Sequence, residues 1–129
     1  QAKLLFIYRN PYEAYRSFAG FLKSEGILGF ALCSPTHVVD DARGFILHWR
    51  HCISGFLEHG PALGAHVVRY EDLVAGRGLD ALAAFVDACL DPAVLSVRAG
   101  ESRAKEALSD ADREVIRYFA SEQIEAAGY

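Results

Sequence analysis

The chain has 129 residues, of which 52% are hydrophobic and 23% charged, which suits one domain with a buried core. Its formal net charge of −4 with neutral histidines argues against a general affinity for nucleic acid. The sequence contains no apolar run long enough to span a bilayer and no signal-peptide pattern. Its three cysteines are widely spaced and lack a CxxC pair, which argues against a disulfide framework or a zinc site.

The first stretch of the chain combines a short strand with a capped helix. Leu4–Tyr8 is a continuous apolar and aromatic run, which predicts a buried strand of a parallel sheet that ends before Arg9. Asn10 suits a helix N-cap and Pro11 suits the first helical position, so a helix should begin there. Ser17 would lie in the second turn of that helix. The spacing places four residues on its apolar face: Tyr15, Phe18, Ala19 and Leu22.

This strand and helix predict an anion site that suits phosphate. Ligands of open α/β sheets bind beyond the carboxyl ends of the strands, where a helix N-terminus offers N–H groups and a partial positive charge. Arg9 would add a planar, always-charged guanidinium, and the hydroxyl of Ser17 could reach the same anion because helical side chains lean toward the N-terminus. The structural alternative stays open, since an arginine at a strand end can simply pair with a carboxylate.

The rest of the chain predicts a crossover followed by two more helices. Residues 24–41 show no sustained period and predict an irregular connection. A strand at His66–Tyr70 would follow the next helix, so the two strands should be parallel. The predicted helices are Asp41–His59, which ends before Gly60 and Pro61, then Leu79–Leu90, and a last helix from the cap Ser109 to near Gly128.

Two ordered motifs resemble the sulfotransferase family, whose members transfer a sulfuryl group from 3′-phosphoadenosine 5′-phosphosulfate (PAPS). The first is Arg9-Asn10-Pro11 with Ser17 eight residues after the arginine. The second is the segment HVVRYEDL at 66–73, about sixty residues further on. The helix with Trp49 and the C-terminal segment that closes in Gly-Tyr are similar to family members as well, so the resemblance covers most of the chain.

The resemblance implies an α/β fold, with a three-layer parallel sheet and flanking helices like those of P-loop nucleotide hydrolases. It implies that residues 1–129 form a single, partial sulfotransferase domain, the half that binds the 3′-phosphate of PAPS. In the family the positions of Arg9 and Ser17 hold that phosphate and the position of Tyr70 contacts the adenine. A basic stretch around Arg103 is a further candidate for the phosphate. The acceptor would be a small molecule, a carbohydrate or a protein, and no metal is implied.

Two parts of the family pattern are not found in these residues. The Gly/Ser/Thr-rich loop for the 5′-phosphosulfate and the usual catalytic base would both precede Lys3. The chain begins with Gln1 and reaches a strand almost at once, so we expect an N-terminal part to be left out and the 129 residues alone to be inactive. A nucleotide-binding module without catalysis and a P-loop kinase-like fragment are the alternative functions, and the catalytic residues and the compartment stay open.

Several other residues have structural interpretations. Glu71 and Asp72 could suggest an acid–base pair, but we expect them to cap a turn or pair with a neighbouring arginine. The spacing of His48 and His51 does not specify the three or four ligands of a metal site. Core packing is the expected role of three residues in apolar helical contexts: Trp49, Cys52 and Cys89.

Overall fold

The computed structural model describes residues 2–25, 39–91, 93 and 107–129. Among these residues it forms two strands and five helices. In chain order the elements are β1 (Leu5–Tyr8), α1 (Pro11–Glu25), α2 (Ala42–His59), β2 (His66–Arg69), α3 (Tyr70–Val74), α4 (Leu79–Val86) and α5 (Asp110–Ala126). No helix in the described ranges is long and apolar enough to cross a membrane.

The two strands form a parallel pair, which confirms the sequence prediction. Leu5 lies opposite His66 and Tyr8 lies opposite Arg69 in the register. The pair belongs to a two-stranded sheet in the described part of the chain, so the structure is a mixed helix and strand arrangement compatible with the α/β class. Because the carboxyl ends of parallel strands meet at one edge, Arg9 and Tyr70 follow their strands at the same end of the sheet.

The described residues divide into two compact units. The first contains the described residues within 1–9 and 55–103, and the second contains those within 10–54 and 104–129. The boundary falls between Arg9 and Asn10 and again inside α2. Arg9 and Tyr70 therefore belong to the first unit, whereas Ser17 belongs to the second.

The first unit packs aromatic rings against the parallel strands. Phe6 of β1 stacks on Phe56 near the end of α2, with ring centroids 4.0 Å apart. His66 of β2 stacks on Phe85 of α4 at 4.9 Å. Gly60 ends α2 as the sequence predicted, and a Cβ at this position would lie 2.6 Å from the Phe56 ring. A glycine is needed there because the chain passes directly over that ring.

The second unit has a helical core. Tyr15 and Phe18 of α1 pack on Phe45 of α2, with centroid distances of 5.4 Å and 5.3 Å respectively. Ile46 of α2 and Ile116 of α5 are fully buried. Trp49 is also buried, which confirms its expected core role.

Helix starts agree with the predicted caps. The side chain of Asn10 accepts a hydrogen bond from the N–H of Tyr12 at 3.0 Å, and Asp41 accepts one from the N–H of Gly44 at 2.7 Å. Ser109 accepts from the N–H of Asp112 at 3.1 Å and donates its hydroxyl to that carboxylate. These contacts confirm the predicted caps of α1 and α5, and they show Asp41, predicted as the first residue of its helix, to be the cap before α2.

Four sequence predictions need correction. The strand predicted to be buried is partly exposed: Leu5 and Ile7 of β1 are 37% and 48% exposed, because no layer of described residues covers that face of the strand. Tyr70 is the first residue of α3 and not the last residue of β2, because the chain turns into a helix after Arg69. The predicted helix Leu79–Leu90 ends at Val86, since Asp87 adopts a left-handed conformation with φ of 58°. Cys52 and Cys89 are exposed, so a local apolar context did not place either thiol in the core.

Candidate functional site

The candidate site begins with a stacked pair at the carboxyl edge of the two strands. The guanidinium carbon of Arg9 lies 4.7 Å from the centroid of the Tyr70 ring. Arg9 is half-buried and its Nε atom is fully buried, whereas 36% of Tyr70 is exposed. The register explains the contact. Tyr8 and Arg69 are paired at the ends of the two strands, and Arg9 and Tyr70 are the residues that follow them. The structure therefore joins a fixed cation to an accessible aromatic ring.

The N-terminus of α1 differs from the prediction that its N–H groups would bind an anion. Pro11 has no N–H, and Asn10 Oδ1 accepts hydrogen bonds from the N–H groups of Tyr12 at 3.0 Å and Glu13 at 3.4 Å. The N–H of Ala14 donates to the carbonyl of Asn10 at 2.9 Å. The cap thus already occupies these donors within the second unit.

The two predicted phosphate ligands lie in different units. Ser17 is exposed on α1, so its hydroxyl is accessible within the second unit. Arg9 is in the first unit together with Tyr70. Arg103 lies outside the described residues. Of the candidate residues, Arg9 and Tyr70 are the two that the structure brings together.

Asp72 is held by two arginines, which confirms the structural interpretation of this carboxylate. Arg69 donates from Nε at 2.7 Å and from a terminal nitrogen at 3.2 Å, one bond to each carboxylate oxygen. Arg77 donates from Nε at 2.7 Å, and a second of its nitrogens lies 2.6 Å from the same oxygen, Oδ1. Hydrogen bonds from Arg69 and then Arg77 hold the pKa of Asp72 below its usual range. Such a carboxylate is a poor general base.

This cluster of Arg69, Asp72 and Arg77 was only partly foreseeable. The spacing of three residues between Arg69 and Asp72 spans one turn and is a recognisable signal for an ion pair. Arg77 lies five residues after Asp72, beyond the end of α3, and no helical spacing indicates its contact. Together with Arg9 and Glu71, the segment at this edge carries three arginines and two carboxylates. The local excess of positive charge therefore favours anions, although the net charge of the whole chain is negative.

Other titratable side chains bear on metal binding and on thiol chemistry. No three histidine, cysteine or acidic side chains within the described ranges converge as metal ligands. The Cys52 thiol lies 3.7 Å from Nε2 of His48, one helical turn earlier. Although Cys52 is exposed, partial desolvation of its thiol by neighbouring atoms raises the pKa of Cys52, which opposes a role as an activated thiolate. Burial likewise raises the pKa of Tyr8, beside Arg69 in the sheet.

Comparisons with known proteins give no assignment. No family model, no curated protein and no solved structure matches this chain.

Proposed function

We propose that this protein is a PAPS-dependent sulfotransferase and that the chain supplies its 3′-phosphate-binding part. The observation that carries the proposal is the stack of Arg9 on Tyr70, at 4.7 Å, at the carboxyl edge of a parallel strand pair. Phosphoadenosine combines a multiply charged phosphate with a flat aromatic base. A guanidinium beside an exposed aromatic ring offers a complementary surface for both groups.

Each candidate residue has a separate role in this proposal. Arg9 binds the 3′-phosphate through its planar fork, and Tyr70 offers the ring face away from Arg9 to the adenine. Ser17, which is exposed on α1, keeps in this proposal the phosphate-binding role that the resemblance implies for its position. Arg103 completes the set of cations. Because the cap occupies the first N–H groups of α1, the hydrogen bonds to phosphate come from side chains.

When bound, PAPS supplies the sulfuryl group for transfer to a hydroxyl or amine acceptor and leaves as 3′-phosphoadenosine 5′-phosphate. The residues of this chain bind and orient it, and positioning of this kind contributes to rate even where the residues do not touch the reacting atoms. A three-layer, P-loop-like arrangement of the sheet is part of the proposal. The two parallel strands and the helices beside them are compatible with it.

A nucleotide-binding module without catalysis is the second candidate. The Arg9 and Tyr70 pair favours it as well, because a cation and an aromatic ring recognise a phosphate and a base without any group transfer. The two candidates differ in the nucleotide that they select, since only the first requires a 3′-phosphate.

Calorimetric titration with 3′-phosphoadenosine 5′-phosphate, ADP and ATP tests the proposal. We expect the 3′-phosphorylated nucleotide to bind tightest and Arg9→Ala to weaken its binding by roughly 2–5 kcal/mol, the usual effect of truncating a desolvated charged contact. Arg9→Lys should recover part of the loss, because lysine keeps the charge and lacks the planar fork. Arg117→Ala, at an exposed arginine of the second unit, is the control.

Two results would overturn the assignment. Equal affinities for the 3′-phosphorylated nucleotide and ATP would support the module without catalysis. Unchanged affinity in Arg9→Ala would remove Arg9 from the phosphate site altogether.

A further inference from the structure

A groove lies along β2, and no residue of β1 lines it. It is a cavity of about 460 Å³ in the first unit, and all four residues of β2 line it. Asp72, Arg77 and Ala81 also contribute to its lining. The groove therefore combines strand backbone, a small side chain of α4 and the cluster of Arg69, Asp72 and Arg77.

One set of backbone N–H and C=O groups of β2 faces away from β1. The N–H of His66 donates to the carbonyl of Leu4 at 2.9 Å, so His66 faces β1. Successive residues of a strand direct their N–H and C=O groups to opposite sides, and Val67 therefore directs its pair toward the groove. In the ranges that the structure describes, no strand pairs with this side of β2. Val67 is 44% exposed, so the sheet face on which its side chain stands is open to solvent.

The carboxyl end of the groove carries a net positive charge. Two guanidinium groups share the single carboxylate of Asp72, so the cluster has one excess positive charge. Arg77 directs Nε and one terminal nitrogen at Oδ1 of Asp72, and 64% of its side chain is exposed to solvent. A guanidinium has five N–H donors, so Arg77 can contact a second anion while it keeps Asp72.

We propose that this groove binds an extended peptide segment that carries a carboxylate. The peptide adds as a strand beside β2, with backbone hydrogen bonds to Val67, and its carboxylate lies against Arg77. Main-chain pairing supplies affinity in such strand addition, and the charged end supplies direction and selectivity. A free C-terminal carboxylate and the side chain of a terminal acidic residue offer the same chemistry, and the relative affinities of the free-carboxylate peptide and the glutamate amide below show which of the two binds more tightly.

Peptide binding in this groove does not depend on the proposed sulfotransferase activity. It uses the outer side of β2 and Arg77, whereas the nucleotide site uses Arg9 and Tyr70. Nucleotide binding and peptide binding can therefore fail separately. A loss of nucleotide binding with retained peptide binding would reject only the proposed function.

The experiment measures fluorescence anisotropy of labelled six-residue peptides of alternating valine and threonine with the purified protein. Four forms are compared: a free C-terminal carboxylate, a C-terminal amide, an amide that ends in glutamate, and a carboxylate form with alternate backbone nitrogens methylated. We expect both carboxylate-bearing, unmethylated forms to bind about two- to fivefold tighter than the plain amide, the range of a solvent-exposed charge pair. Methylation on the pairing side should abolish binding, because it removes the backbone donors.

Protein variants then locate the carboxylate. Arg77→Gln should remove the preference for carboxylate over amide, and Arg77→Lys should retain part of it. Arg117→Gln is the matched control, since that arginine is 68% exposed and also pairs with one carboxylate, Glu114. Circular dichroism and thermal unfolding confirm that each variant folds.

Three outcomes would overturn the proposal. The first is no binding of any peptide at millimolar concentration. The second is a carboxylate preference that survives in Arg77→Gln, which would place the peptide elsewhere, such as the opposite side of β1. The third is equal binding of the methylated and unmethylated peptides, which would exclude pairing as a strand.

Discussion

The contact between Arg9 and Tyr70 can be measured without any ligand, by a double-mutant cycle on stability. The single changes are Arg9→Gln and Tyr70→Leu, and the double variant completes the cycle. A cation over an aromatic ring contributes about 0.5–1 kcal/mol at exposed sites and about 2 kcal/mol when desolvated. The guanidinium of Arg9 is half-buried and Tyr70 is 36% exposed, so we expect an interaction energy of about 1 kcal/mol, between these limits.

Urea unfolding gives the free energy of unfolding for the four proteins, and the cycle subtracts the other contacts of each side chain. Tyr70→Phe should keep most of the interaction, because the ring remains. Arg43 over Phe119 in the second unit is an internal comparison. Its guanidinium carbon lies 5.5 Å from the ring centroid and Arg43 is exposed, so this pair should give only about 0.5 kcal/mol.

An interaction energy for Arg9 and Tyr70 below about 0.3 kcal/mol would lie within the usual additivity error. It would refute the view that the ring fixes the guanidinium. An interaction energy equal to that of the Arg43 and Phe119 pair would refute the expectation that burial and a shorter distance strengthen the interaction. If Tyr70→Phe lowered the interaction energy with Arg9 as much as Tyr70→Leu does, the tyrosine hydroxyl and not the ring would account for the contact.

Three further predictions concern single side chains. Asn10→Ala should lower the free energy of unfolding by about 1 kcal/mol, because two N–H groups lose their acceptor, whereas Asn10→Asp should retain the cap; equal losses in urea unfolding would reject the capping role. The pKa of Asp72 is lowered in the folded protein, so its stabilising contribution is present above the usual carboxyl pKa and is lost as pH falls through the lowered value. Unfolding measured from neutral to acidic pH should therefore show a shallower loss of stability in Asp72→Asn than in the unaltered protein, and identical slopes would contradict this. Partial desolvation raises the pKa of the exposed Cys52 thiol, so alkylation by iodoacetamide near neutral pH should be slower than that of a cysteine in a short peptide; equal or faster labelling would show an activated thiol.

The sequence predicted those parts of the fold that depend on local chemistry. Asn10 followed by Pro11 marked the start of α1, and Ser109 marked the start of α5, because caps act within three residues. The apolar runs at the two strands, separated by helical segments, predicted their parallel pairing. These signals do not depend on contacts between distant residues, so they can be recognised in the sequence alone.

Features that depend on backbone conformation or on distant neighbours were not predictable in this way. Apolar periodicity extends to Leu90, but the left-handed conformation of Asp87 ends α4 earlier. Cys52 lies among apolar residues in the sequence, yet its position on α2 is exposed. The second arginine on Asp72 also comes from a turn whose path the sequence pattern does not specify.

The Asn10 cap illustrates how one residue can support one prediction and oppose another. Its presence predicts the helix correctly, and a helix N-terminus in this location suggests an anion site. However, the side chain that stabilises the helix also accepts hydrogen bonds from the N–H groups that an anion would use. A good cap and an open backbone anion site therefore compete for the same donors. In the function proposed above, phosphate recognition at this edge would depend on the arginine instead.

That dependence gives a final prediction about pH. An arginine guanidinium stays charged across the range in which proteins fold, whereas a phosphate monoester loses its second proton near pH 6. If Arg9 supplies the main attraction, affinity for adenosine 3′-phosphate should rise from pH 5 to pH 7, following the ionisation of its single phosphate. Calorimetry with adenosine 3′-sulfate, which keeps one charge over this interval, provides the control and should show a flat profile. A rise of equal size for the sulfate analogue would mean that a protein group titrates, and would point to one of the histidines and away from Arg9 as the origin of the pH dependence.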